Sequence, residues 1–227
     1  MSIRVGLYDF FAYTLPGVFY LSIIGFWLNA IDLLVIDFSA LKDFSLSILF
    51  AIVIVGYIIG LLIDPLAYRL MRLFQSRNGD AAKAAYDEFT QQHTWVKLGY
   101  DAKDWAILLR AVKSVSMEAA ADVEQHNVAF IMLRNISLAF VFSMISSVVY
   151  YFAILSSLWV LGLGIVFLMM AILAMRRSGL RRHWFYLAVF EAFTAQFLLD
   201  QNTGSKKSAE NSRTRMSKPS RKTVVKN

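Results

Sequence analysis

Residue types that could carry catalysis or bind a metal are sparse in this chain. Its three histidines, His93, His126 and His183, are far apart, and none belongs to an HExxH or HxxxH pair, the spacing that places two metal ligands on one helix face. There is no cysteine, which excludes thiolate metal sites, Cys nucleophiles and disulfides. GxSxG, P-loop and dinucleotide-binding motifs are also absent. The sequence therefore predicts a protein that is not an enzyme and has no cofactor or metal.

Ionisable residues at the ends of apolar runs are the next candidates for chemistry. Asp32 and Asp64 are expected at opposite faces of a membrane, which argues against joint catalysis by the two carboxyl groups. Asp64 and Arg134 border different apolar runs at a similar depth, where a charged group is costly unless it is paired or hydrated. We expect the two to pair across neighbouring helices, either as a structural contact at the membrane boundary or as a gate.

Small and polar residues recur at four-residue spacing in two of the apolar runs. Residues four apart share one face of a helix, and small residues on such a face let two helices approach closely. If several subunits assembled around a polar face of this kind, its residues would line a narrow aqueous path. Helix packing and a pore therefore both remain open for Gly56 and Gly60 in one run and Asn135, Ala139, Ser143 and Ser147 in another.

The apolar runs themselves are long enough to cross a membrane. Hydrophobic residues make up 58% of the 227 residues and the mean hydropathy is +0.53, more than a soluble domain of this size needs for its core. A transmembrane helix needs roughly 20 apolar residues. Four runs satisfy this length: Leu15 to Ile36, Ser45 to Ile63, Ile136 to Leu155 and Leu158 to Met175. They predict an all-α membrane protein with four transmembrane helices in two hairpins.

Lys and Arg predict the orientation of these spans. Residues 65–128 carry eight Lys or Arg and residues 176–227 carry twelve, whereas the connections between paired spans carry almost none. Because basic residues accumulate in cytoplasmic segments, both termini and the central segment are expected in the cytoplasm. The predicted parts are an interfacial segment (1–14), a first transmembrane hairpin (15–63), a helical cytoplasmic insert (64–135), a second hairpin (136–175), an amphipathic cytoplasmic helix (176–200) and a disordered basic tail (201–227).

Local patterns predict how several of these parts begin and end. Thr14 is expected to cap the first span, with Pro16 in its first turn. Asp101 is expected to cap a helix that runs from about Ala102 into the third span without a break. The amphipathic helix is expected either to lie on the membrane or, preferably, to pack against the insert through an aromatic stripe, formed by Tyr186, Phe190, Phe193 and Phe197.

A family resemblance is carried by the start of the chain, Asp9-Phe10-Phe11 through Pro16-Gly17. These residues precede two predicted helical hairpins with a helical insert between them. In these features the chain resembles small bacterial inner-membrane proteins, among them membrane effectors of anti-phage defence systems. Such effectors oligomerise and open or damage the membrane when a cytoplasmic partner signals infection. The likeness covers Tyr8 to Leu199, implies a location in the bacterial inner membrane and transfers no catalytic residue.

Three function classes follow from these observations. The preferred hypothesis is a homo-oligomeric pore-forming or membrane-disrupting effector in anti-phage defence, in contact with membrane lipid and controlled by a cytoplasmic protein or small-molecule activator. The alternative is a membrane anchor or scaffold that recruits a soluble partner through residues 65–128. A lipid-modifying membrane enzyme remains only as a third class, one whose active site lacks familiar motifs. The basic tail is expected to set the topology or contact anionic lipid, and no motif supports specific nucleic-acid binding.

Overall fold

The computed structural model describes residues 3–33, 46–75, 80–94, 99–154 and 156–216, with the side chains of 10–33, 46–74, 80–94, 99–154 and 156–197. These ranges are helical and contain no strand. The helices are α1 (Ile3–Ala30), α2 (Leu46–Gln75), α3 (Ala81–Gln92), α4 (Trp105–Val115), α5 (Met117–Ala153) and α6 (Leu158–Met216), with a single 3₁₀ turn (Ala102–Asp104) before α4. α1, α2, α5 and α6 each contain a segment long and apolar enough to span a membrane. The predicted all-α class and four candidate spans are confirmed, and they indicate a multi-pass membrane protein.

Glycines bring the backbones of α1 and α2 into direct contact. A Cβ atom at Gly17 would lie 1.6 Å from the carbonyl oxygen of Gly56, and one at Gly60 would lie 2.1 Å from the carbonyl oxygen of Tyr13. No side chain fits at either position, because both distances are far below van der Waals contact. Phe10 also stacks on Tyr57 with ring centroids 5.2 Å apart. These two helices form the first helix pair.

α1 begins earlier and ends earlier than the predicted first span. It starts at Ile3 and continues through Pro16, so the expected separate segment 1–14 is not a distinct element. Thr14 is not an N-cap, since its hydroxyl donates to the Phe10 carbonyl one turn back, at 2.7 Å. Membrane helices tolerate an internal proline, because neighbouring helices and local adjustments compensate the lost hydrogen bond.

A left-handed residue ends α1. Asp32 has φ 56°, and the Leu33 N–H donates to the Leu28 carbonyl at 3.0 Å while the Asp32 N–H donates to Asn29 at 3.2 Å. These two bonds form a Schellman cap, which satisfies carbonyls that a helix end leaves without partners. The predicted span reached Ile36, and residues 34–36 lie outside the described ranges.

α2 does not end where the second apolar run ends. It passes through Asp64 and Pro65 and continues to Gln75, so the predicted border between residues 63 and 64 is not a helix boundary. Beyond this point Ala67 and Met71 are buried, and their packing supports the extra turns. The helix is therefore longer than the predicted apolar run, which ended at Ile63, because tertiary contacts outweigh the local cost of proline.

α5 and α6 run antiparallel along most of α5 and form the second helix pair. A Cβ atom at Gly164 would lie 3.3 Å from the Cβ of Ser147, near one end of the contact. Near the other end the buried Ser178 hydroxyl donates to the Phe130 carbonyl at 3.1 Å and lies 3.6 Å from the Met71 sulfur of α2. Ser178 therefore joins α6 to both α5 and α2. α5 is the most enclosed of the four spans.

The insert is a helical unit with its own core. The Asp101 cap is present as a full capping box with Asp104, but α4 ends at Val115 and does not run into the third span. Ser116 is extended, with φ −139° and ψ 110°, and its side chain accepts the Ala119 N–H to start α5. Serine competes for backbone hydrogen bonds and favours such caps over helix interiors, which explains the break.

The aromatic stripe of α6 packs into that core. Phe190 and Val189 are fully buried, and Tyr186 is 7% exposed, against residues of α3, α4 and α5, whereas Phe197 is 52% exposed. The predicted separate helix 176–200 is part of the continuous α6. We call this body, made of α3, the 3₁₀ turn, α4 and residues 117–133 and 176–197, the extramembrane unit.

Two tyrosines add hydrogen bonds at the edge of this core. The Tyr86 hydroxyl donates to the Tyr100 carbonyl at 2.9 Å, and the Tyr100 hydroxyl lies 2.9 Å from that of Thr194. Burial, with a smaller contribution from the Asp101 carboxylate, raises the pKa of Tyr86 above its usual value. The phenol therefore remains a donor at neutral pH.

The basic C-terminal segment differs in part from its prediction. α6 continues as helix to Met216, so disorder from residue 201 is not confirmed. Between 201 and 216 four Lys or Arg residues favour a helix, but eight Asn, Ser, Thr or Gly residues do not. The segment is helical as a continuation of α6, since adding turns to an existing helix avoids the cost of nucleation. Residues 217–227 lie outside the described ranges.

The glycine contact predicts a marked sensitivity to one added methyl group. Gly17→Ala should lower the stability of the protein by about 1–3 kcal/mol, because the helices must separate to admit the Cβ. Gly162→Ala is the matched control, since nothing lies within 4 Å of that position in the single chain, and it should be neutral or stabilising. Tryptophan fluorescence during heating in detergent measures both. Equal unfolding midpoints for the two variants would contradict the close contact.

Candidate functional site

The first helix pair meets the second mainly along α1 and α5. We call this contact, together with the contact of α2 on α5, the seam. Aromatic side chains interleave along it, with ring centroids 5.2–6.4 Å apart. The ring contacts are Phe19 with Phe140, Tyr20 with Phe142, and both Phe26 and Trp27 with Tyr150. The seam is thus closed by side chains, whereas α1 and α2 touch through their backbones.

Polar links within the described residues cross the seam at two levels, one at Ser146 and one at the consecutive residues Arg134 and Asn135. The Trp27 indole N–H donates to the Ser146 hydroxyl at 2.9 Å. The Tyr20 hydroxyl donates to the backbone carbonyl of Asn135 at 3.0 Å. Arg134 pairs with Asp64. The levels of Ser146 and Arg134 on α5 are roughly 18 Å apart, at 1.5 Å per residue.

The residues predicted to pair, Asp64 and Arg134, are in contact at the boundary of the apolar segments. The Arg134 guanidinium binds the Asp64 carboxylate and lies over the rings of Tyr68 and Phe130, 5.3 and 5.1 Å from their centroids. The Arg134 side chain is 6% exposed and that of Asp64 is 24% exposed. Aromatic faces and a carboxylate compensate a buried cation in part. The Arg134 Nε atom has no hydrogen-bond partner among the described residues.

Asn135, the next residue, is completely buried. Neither the nitrogen nor the oxygen of its side-chain amide has a hydrogen-bond partner among the described residues. Its backbone carbonyl, by contrast, is bound by Tyr20. A buried amide without partners is rare and costs free energy.

The small-residue row of α5 is enclosed within the single chain. Ala139 is fully buried and Ser143 is 6% exposed. The Ser143 hydroxyl donates to the Ala139 carbonyl at 3.1 Å, and the Ser147 hydroxyl donates to the Ser143 carbonyl at 2.9 Å. Their polar groups are satisfied by their own helix, and Ser147 packs on Gly164. Helix packing accounts for these contacts without a pore.

The glycine row shows the same packing role and a residue that sequence reasoning missed. Gly56 and Gly60 face α1, and Gly17 completes the contact from the other helix. In the sequence, Gly17 is notable only as part of the Pro16-Gly17 motif. Gly17 lies four residues after Tyr13, which meets Gly60, so both are on one face of α1. This spacing alone does not identify α2 as the helix that they contact.

The histidines occupy separate places in the extramembrane unit. His183 Nε2 lies 2.7 Å from a carboxylate oxygen of Glu88, and His126 Nδ1 lies 3.3 Å from Arg181. His93 stacks on Phe89, with ring centroids 4.5 Å apart. The described residues contain no group of three metal-binding side chains. In this part of the chain the histidines make interhelical and ring contacts.

The Asp64–Arg134 pair predicts strong non-additivity. Asp64→Leu or Arg134→Met alone should lower the stability of the protein by about 3–5 kcal/mol, because each leaves one charged side chain in the bundle without its partner. The double variant Asp64→Leu with Arg134→Met should recover most of this loss. Thermal unfolding of the four proteins in detergent gives the coupling energy. Additive effects would show that the two side chains do not interact.

Comparisons of the chain with protein-family models, with curated proteins and with solved structures found no match.

Proposed function

We propose that this chain is a non-enzymatic subunit of an oligomeric membrane pore whose opening is controlled by the extramembrane unit. The observation that carries the proposal is the continuity of α5 and α6. Each helix contributes to the core of the extramembrane unit and then continues as an apolar membrane segment, without an intervening loop. A partner that moves this core would move the membrane segments with it, since helices transmit displacement as packed rods.

The distribution of polar residues supports a path that opens beside α5. Within the membrane, polar side chains are costly and usually face the protein interior or water. α5 buries Arg134, Asn135, Ser137 and Ser143, whereas the exposed side chains of α2 up to Leu62 are almost entirely apolar. The links at Arg134 and Asn135 lie roughly 18 Å along α5 from the link at Ser146, and aromatic rings fill the seam between them, so one closed chain offers no continuous path. Rearrangement of the seam and assembly of several copies would provide it.

We place the extramembrane unit in the cytoplasm of a bacterium as part of the same proposal. Arg69, Arg72, Arg176 and Arg177 are exposed just beyond the apolar segments of α2 and α6. Such arginines favour the cytoplasmic side and contact anionic lipid headgroups. The bacterial inner membrane follows from the family resemblance alone.

The pore proposal predicts that weakening the seam increases permeability. Liposomes containing the full chain should release a small anionic dye faster with Asp64→Asn than with the unaltered protein, because the boundary link is lost. Gly162→Ala is the control, since it changes the same membrane bundle without touching the seam. Planar-bilayer recording should show discrete conductance steps for Asp64→Asn. Folded, fully inserted protein that stays impermeable in both forms would contradict a pore.

A membrane scaffold is the second candidate, and one observation favours it. Ile107 near the start of α4, and Val115 and Met117 at the α4–α5 corner, are 62–66% exposed. Exposed apolar side chains of this size are typical of surfaces that bind a protein. A scaffold would retain its partner in pull-downs when Asp64→Asn is introduced and would remain impermeable, which distinguishes it from the pore.

Anti-phage defence is the proposed setting of this activity. The support is the resemblance carried by Asp9-Phe10-Phe11 and Pro16-Gly17, together with the two membrane helix pairs. Bacteria that express the chain together with the genes flanking its own should form fewer phage plaques than bacteria without it. The protection should be lost with Gly17→Ala and kept with Gly162→Ala. Unchanged plaque numbers across a broad phage panel would remove this setting and leave the pore proposal to the liposome assay.

A further inference from the structure

We propose that the Asn135 amide and the Arg134 Nε–H form a hydrated site within the bundle, and that water reaches this site past Asp64. We further propose that the water path of the pore begins at this site in the seam. The second part of this inference rests on the proposed pore function. The site includes Asn135 of the predicted pore or packing face but not the serines of that face, Ser143 and Ser147.

The hydrogen-bonding inventory defines the ligand. The two adjacent residues present three buried polar atoms without protein partners among the described residues: Arg134 Nε, Asn135 Nδ2 and Asn135 Oδ1. Two of these are donors and one is an acceptor. Water both donates and accepts, and buried water commonly satisfies polar groups of this kind.

The local charge selects a neutral ligand over an ion. The Arg134 cation repels metal ions from the neighbouring amide, and the Asp64 carboxylate that neutralises it repels anions. The aromatic rings of Tyr68 and Phe130 occupy two sides of the guanidinium. Water therefore fits the site better than a phosphate or a metal ion.

Exposure falls steadily from the boundary into the bundle. The Asp64 side chain is 24% exposed, that of Arg134 is 6% exposed, and Asn135 is fully buried. Asp64 is therefore the most accessible of the three residues, and the proposed water path starts there. Eight residues further along α5, Ser143 is also buried, but its hydroxyl is satisfied by Ala139. The chain therefore provides a hydrated and a dry polar position on one helix.

Single cysteines test this difference directly, because the chain has no cysteine of its own. Asn135→Cys and Ser143→Cys are prepared in the full chain and reconstituted in liposomes. Each is treated with 2-hydroxyethyl methanethiosulfonate, a small neutral reagent that requires a hydrated thiolate. Asn135→Cys should react at least tenfold faster, roughly, than Ser143→Cys, since water and the Arg134 cation both favour its thiolate. Equal rates, or an unreactive Asn135→Cys, would overturn the hydrated site.

A second variant keeps the inference testable if Asn135→Cys does not fold. Asn135→Leu replaces the amide by an apolar side chain of similar size. A dry, unpartnered amide would be a pure cost, so the leucine would raise the unfolding midpoint clearly, and that result would overturn the inference. A hydrated amide predicts an unchanged or lower midpoint.

The outcomes separate this inference from the proposed function. Fast labelling of Asn135→Cys without any conductance from Asp64→Asn liposomes would support the hydrated site and contradict the pore. Conductance with an unreactive Asn135→Cys would support the pore and contradict a path that begins at Asn135.

Discussion

Direct backbone contact between α1 and α2 is the constraint on which the arrangement of the membrane helices depends. With the glycines at 17, 56 and 60 in contact, there is no space for a single side chain at the crossing. Lipid provides little hydrophobic drive for helix association, so close van der Waals packing must supply much of it. The pair therefore behaves as one body. Any rearrangement within the membrane is directed to its contact with α5, where side chains and not backbones meet.

The contact with α5 is filled largely by apolar side chains, but some of its polar groups lack hydrogen-bond partners among the described residues. Aromatic rings fill most of its length. Arg134 and Asn135 place a charge and an amide near the boundary of the apolar segments, where Arg134 meets Asp64. Backbone polar groups inside a membrane must be satisfied by the protein or by water. An interface with residual polar capacity is therefore easier to hydrate than a glycine crossing. This difference gives the two contacts of α1 different mechanical roles.

The sequence predicted the features that depend on composition and short spacing. The four apolar runs, the helical content and the capping box at Asp101 are all present, because each is decided by nearby residues. The extent of two helices was not predictable in this way: α2 continues past the apolar run that ended at Ile63, and the helix expected to run unbroken from Ala102 is interrupted at Ser116. Packing of Met71 supports the turns after Pro65, whereas the hydroxyl of Ser116 starts a new helix. The isolation of the Asn135 amide was not predictable, because it depends on which side chains the other helices bring to it.

The position of Ser178 has a mechanical consequence. Its hydroxyl ties α6 to α5 and its side chain touches α2, so a tilt of α6 as a straight rod would turn about this residue. At 1.5 Å per residue, the arm towards Phe190 measures roughly 18 Å and the arm towards Leu158 roughly 30 Å. A sideways movement of about 2 Å at Phe190 would therefore become about 3 Å at the opposite end of the span. In this geometry a small deformation of the extramembrane core is amplified on the far side of the membrane.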